Sequence, residues 1–102
     1  MLRKDQVTGT IGVVRKIIVE RRKTTRSDYD FIVRNLNLDI LPIDEINKIK
    51  VELDGYIDGK LNYFYRRNKR DKIEEYKKVK FLWNKIFELF LSQKKEESPK
   101  LQ

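Results

Sequence analysis

Apolar side chains recur every third or fourth position through the second half of the chain. Ile46, Ile49, Leu53, Ile57, Leu61 and Phe64 make one stripe, with Lys48, Lys50, Glu52 and Asp54 falling largely between them. That spacing predicts a helix with a single buried face. Pro42 blocks entry from the left, and Asp44 is the expected N-cap, so the helix is predicted over residues 44–67. Gly55 and Gly59 each weaken it by about 1 kcal/mol relative to Ala and mark a place where it could break. A basic turn follows, and Asp71 is the next expected cap. Ile73, Tyr76, Trp83, Ile86 and Phe90 then share a face that Val79, Leu82 and Leu89 widen, which predicts a second helix over 71–93. The remainder, 94–102, is polar, contains Pro99 and is expected to be a disordered tail.

The first half is less regular. Val7, Ile11, Val14 and Ile18 have helical spacing, but Val13, Val14, Ile17, Ile18 and Val19 are β-branched and cluster as in a strand. Ser27 is a plausible cap for a short helix carrying Tyr29, Ile32, Val33 and Leu36. An internal repeat decides between helix and strand. Sliding the chain by 46 residues aligns Lys4 with Lys50, Gly9 with Gly55, Ile11 with Ile57, Arg21 with Arg67, Lys23 with Lys69, Val33 with Val79, Leu36 with Leu82 and Ile40 with Ile86, eight identities without a gap. If the second unit is helix–turn–helix, so is the first, and each must hide its apolar face on the other. The expectation is an all-α fold of four helices: a hairpin over 1–41, a second over 42–93, and a pseudo-twofold relating them in one compact domain.

Composition narrows the chemistry. The 102 residues contain neither cysteine nor histidine. Disulfides, thiolate metal sites, a cysteine nucleophile and every His-dependent triad or zinc site are therefore excluded. No catalytic residue, metal ligand or cofactor is assigned, and the protein is expected not to be an enzyme. Asp44, with Asp58-Gly59-Lys60, loosely imitates a Mg²⁺-dependent nuclease, but the two acids lie about 21 Å apart on one predicted helix and could not share an ion. Gly9-Thr10-Ile11-Gly12 has the spacing of a KH-type backbone clamp without its basic residues or its strands. No secretory leader and no membrane span are expected.

Two features remain. Residues 81–91 are apolar at eight of eleven positions, more than one buried stripe requires. Tyr63, Trp83, Phe87 and Phe90 are therefore candidates to line an apolar cleft between the hairpins, taking a peptide or partner segment. The net charge of +8 concentrates around both turns, at Arg21, Arg22, Lys23 and Arg26, and at Arg66, Arg67, Lys69 and Arg70. The patch of Arg21, Arg22, Lys23, Arg66, Arg67 and Lys69 is either a phosphate-binding surface or a set of cations offsetting two helix C-termini. A protein or peptide partner is the leading expectation and nucleic acid the alternative, with the chain a monomer or weak homodimer.

In length, in its Lys/Ile/Tyr-rich composition without Cys or His, and in its duplicated helical unit, the chain resembles the small orphan proteins of viruses of hyperthermophilic archaea, specifically those of an Acidianus filamentous virus. The resemblance implies a viral origin, a hot host and no assigned activity; with no leader or span expected, the protein is expected in the host cytoplasm. It rests on whole-chain character and carries over no functional residue.

Overall fold

The computed structural model describes residues 1–97 and is all-α. Its helices are α1 (Lys4–Glu20), α2 (Arg26–Asn35), α3 (Ile43–Arg66) and α4 (Arg70–Glu97). Among the described residues there is no strand. The β-branched run of α1 is helical because Ile11, Val14 and Ile17 reach the core from one side, and tertiary burial overrides a weak local preference.

Each of the first three helices stops in the same way. Arg21, Asn37 and Asn68 take left-handed φ values of 53°, 57° and 54°. The amide one residue further on then reaches back five residues: Arg22 to Ile17 at 3.2 Å, Leu38 to Val33 at 2.9 Å, and Lys69 to Phe64 at 3.0 Å. These closures satisfy carbonyls that a helix end otherwise leaves open. Asn tolerates this conformation; at Arg21 it costs about 1–2 kcal/mol.

The starts differ from expectation at three places. Thr25, not Ser27, caps α2. Its hydroxyl accepts the Asp28 amide at 3.2 Å, while the Asp28 carboxylate accepts the Thr25 amide at 2.9 Å, a reciprocal box. Helix α3 begins after Pro42, which leaves Asp44 and Glu45 in the first turn, favourable to the helix dipole without a capping bond. Helix α4 begins at Arg70, so Asp71 lies inside it. Gly55 and Gly59 do not break α3. At its far end α4 runs on to Glu97, so 94–97 belong to a helix and not to a disordered tail. Lys94 Nζ reaches the Leu38 carbonyl at 3.3 Å and lies 5.7 Å from the Phe90 ring, contacts that extend the helix past its last core residue. The rest of the expected tail, 98–102, lies outside the described residues.

Helix α4 is the centre of the molecule. It packs closely on α3 and on α1, and α2 packs on α1. Trp83 and Val79 are fully buried and Phe87 nearly so, among Val14, Ile32, Leu36, Leu38, Ile46, Leu53 and Ile57. A second device joins α1 to α2. Asn35 Nδ2 donates to the Gln6 carbonyl at 2.9 Å and to Thr10 Oγ1 at 3.0 Å, and Gln6 Nε2 donates to the Asn35 carbonyl at 2.9 Å. Gln6 and Thr10 are buried, so this network satisfies polar groups that would otherwise be costly inside. Gly9 makes room for it: a Cβ there would lie 3.2 Å from Asn35 Nδ2, whereas one at Gly55 would meet nothing within 4 Å. The two glycines are equivalent in the repeat but not in packing.

The same asymmetry runs through the whole repeat. Of the aligned apolar pairs, only Ile11 and Ile57 are buried on both sides; Ile40 is 76% exposed where Ile86 is 5% exposed. A twofold would also pack α2 on α3 as it packs α4 on α1, and α2–α3 is not among the close packings. The halves share their element order, but the pairing of faces is not symmetric.

Candidate interaction groove and basic end

Residues of both hairpins meet in a cleft of about 600 Å³ between the start of α2 and the middle of α4. Thr24, Thr25, Arg26 and Tyr29 line one side, and Leu82, Lys85, Ile86, Leu89 and Gln93 the other. The four α4 positions Leu82, Ile86, Leu89 and Gln93 recur at helical spacing, so they form one strip along the helix. Ile86 is buried at the floor while Leu89 is 51% exposed. Phe81, on the same helix, is 66% exposed with Lys85 Nζ 5.1 Å from its ring. The α2 wall is fixed by local chemistry. Arg22 donates to both oxygens of Asp28, at 2.7 and 3.1 Å, and Asp28 holds Thr25. The Arg22 guanidinium, with the Thr25 amide and hydroxyl adding to it, keeps the Asp28 carboxyl well below the usual carboxylate range. The Tyr29 hydroxyl donates to Gln93 Oε1 at 2.8 Å and bridges the two walls. Arg26, its side chain 91% exposed, and Lys85 stand as cations at the rim.

The cleft is not lined as the sequence suggested. Trp83 is fully buried, Phe87 is 1% and Phe90 7% exposed. Their rings pack on one another, Trp83–Phe87 at 5.3 Å and Phe87–Phe90 at 6.5 Å. They are core because α4 is covered by helices on several sides, and a helix so placed spends a wide apolar arc on packing. Tyr63 is 49% exposed, but on α3 beside Arg67, not in the cleft. The sequence signal for the true lining was the widened edge of the α4 stripe, Leu82 and Leu89. Nothing in the pattern singled out Thr24, Thr25 or Gln93.

The basic turns come together at one end. Arg15 of α1 pairs with Glu75 and its guanidinium lies 5.5 Å from the Tyr76 ring. Phe64 of α3 packs on the same tyrosine, centroids 5.4 Å apart. Further back along both, the amide of Leu2, just before α1, donates to the carboxylate of Glu52 in the first half of α3 at 3.2 Å. Helices α1 and α3 therefore run in the same direction on either side of α4. From these contacts both helices continue in the common direction to their ends at Glu20 and Arg66. Arg21, Arg22, Lys23, Arg66, Arg67 and Lys69 consequently share one end of a molecule 53 Å long.

Asp44 and Asp58 lie on one unbroken α3, too far apart to share an ion. Asp58 is held by Lys80 Nζ at 2.7 Å. Among the described residues no group of three or more acidic side chains could hold a metal ion, and no helix is long and apolar enough to cross a membrane. No family model, curated protein or solved structure matches this chain.

Proposed function

We propose that the protein is a non-catalytic interaction module that takes a segment of a partner protein into the cleft between α2 and α4. The observation that carries this reading is an apolar strip at the meeting of the two hairpins that, among the described residues, no other segment covers: Leu82 and Ile86 at the floor, with Leu89 half exposed beside them. An exposed leucine in a concave, cation-rimmed site is a binding feature more than a stability feature. Arg26 and Lys85 at the rim select against basic partners and favour acidic ones. The preferred occupant is therefore an amphipathic segment with apolar side chains on one face and Asp or Glu beside them, docked as a helix or strand in a groove. Tyr29, tied to Gln93, keeps the walls at a fixed separation, which lowers the ordering cost of binding. The reading extends to setting: a viral protein, as the resemblance of the chain implies, acting in the host cytoplasm.

A random peptide library selected on the protein tests this. Enriched sequences should combine Leu, Ile or Phe with flanking acids, and Leu89→Arg should abolish their capture while leaving helicity and melting intact, because that side chain is half in solvent already. Absence of enrichment, or enrichment that survives Leu89→Arg, would refute the proposal.

A further inference from the structure

The end where α1 and α3 terminate carries more positive charge than the fold uses. Arg22 is consumed by Glu20 at 2.8 Å and Asp28 at 2.7 Å. Glu75 is consumed by Arg15 and Lys72. Arg21, Lys23, Arg66, Arg67, Lys69 and Arg70 are all exposed, and none pairs with a described carboxylate. Their alternative role is to satisfy helix ends, and the ends do not need them. Backbone amides already close both C-termini, with Arg22 N bonded to the Ile17 carbonyl and Lys69 N to that of Phe64. Helix α1 has no basic residue in its last turn, and α3 has one, Arg66. Arg21 is the clearest case, because it occupies a left-handed position that glycine would fill more cheaply.

Beside these cations stands an exposed aromatic. Tyr63 is half in solvent, with the Arg67 guanidinium 4.4 Å from its ring centroid. Tyr56, one helical repeat earlier, has Lys60 Nζ 5.7 Å from its ring. Basic side chains alternating with stacking rings are what a flexible polyanion with planar bases requires. Phosphates find the cations, and a base finds a π-face without any sequence-specific hydrogen bond.

We propose that this end of the molecule binds single-stranded nucleic acid, its backbone held by Arg21, Lys23, Arg66, Lys69 and Arg70 and a base stacked at Tyr63–Arg67. The site is separate from the cleft between α2 and α4 and stands or falls independently of it. With about five phosphates neutralised, affinity for a strand should fall by about two orders of magnitude between roughly 50 and 200 mM salt.

The experiment is fluorescence anisotropy of a labelled oligothymidylate and of a mixed-sequence duplex with the full chain, at several salt concentrations. The expected result is tighter binding of the strand with the steep salt dependence above. Arg66→Glu with Lys69→Glu should weaken it at least tenfold and flatten the slope. Tyr63→Ala should weaken strand binding and leave duplex binding alone. Arg21→Gly provides a readout that a structural role cannot mimic: melting temperature rises, by about 4–8 °C, while affinity and slope fall. Lys48→Glu, at the opposite end of α3, is the charge control. The proposal is overturned if Lys48→Glu weakens binding as much as the Arg66/Lys69 pair, if the duplex binds as tightly as the strand, or if no binding occurs at the lowest salt.

Discussion

Gly9 and Gly55 occupy the same position in the repeat, yet replacing each with alanine should move stability in opposite directions. Both lie inside helices, where glycine is about 0.8–1.0 kcal/mol less favourable than alanine. At Gly55 a new methyl group enters open space, so Gly55→Ala should stabilise the protein by that amount. At Gly9 it would lie 3.2 Å from Asn35 Nδ2 and 3.7 Å from the Phe31 ring. Phe31 is at ordinary contact, but the Asn35 amide is not free to yield. It is held by the Gln6 carbonyl and by the hydroxyl of Thr10, which is fully buried. Displacing it puts two hydrogen bonds of about 0.5–1.5 kcal/mol each at risk, and leaves Thr10 with a buried unsatisfied hydroxyl. Against the propensity gain of about 1 kcal/mol, Gly9→Ala should come out about 1 kcal/mol less stable than wild type. The two variants then differ by about 2 kcal/mol, or about 8–16 °C in melting temperature for a domain of this size. Thermal and guanidinium melts followed by far-ultraviolet circular dichroism measure this directly. If Gly9→Ala is stabilised as much as Gly55→Ala, the Asn35 clamp between α1 and α2 does not exist as described.

Two further predictions concern the groove wall and the core. The depressed pKa of Asp28 means that its stabilising contribution is fully present above its unfolded value of about 3.9 and is lost as pH falls through the lower folded value. Urea midpoints taken down the pH scale should therefore drop less steeply for Asp28→Asn than for wild type; parallel profiles would remove Arg22–Asp28 as the anchor of the α2 start. Trp83→Ala should cost about 3–5 kcal/mol. Trp83→Phe should cost less than half of that, because the indole Nε1 is buried without a described hydrogen-bond partner and removing it relieves a penalty of about 1–3 kcal/mol. A denaturant midpoint unchanged in Trp83→Ala would contradict the central placement of α4.

Helical periodicity was enough to specify α3 and α4, because their apolar residues recur at the spacing of a helix face and no other backbone form presents them together. The repeat extended that conclusion to α1, where β-branched residues pointed toward a strand and burial of Ile11, Val14 and Ile17 favours the helix. Exclusion of thiol and imidazole chemistry needed only the absence of two residue types. Capping was less legible. Thr24, Thr25, Ser27 and Asp28 all stand near the start of α2, and the choice of Thr25 over Ser27 depends on where Arg22 places the Asp28 carboxylate.

What surrounds each face was decided by the tertiary structure alone. The pattern marks a side chain as apolar but does not count the helices that reach it, so Trp83, Phe87 and Phe90 read equally well as cleft or core. Only the position of α4 among its neighbours makes them core and leaves Leu82 and Leu89 at the groove. Likewise, the sequence places a basic cluster after each leading helix but not the direction in which the helices run. Contacts of Arg15 and Phe64 with Tyr76, together with the Leu2–Glu52 bond further back along both helices, set α1 and α3 parallel and turn two separate clusters into one charged end.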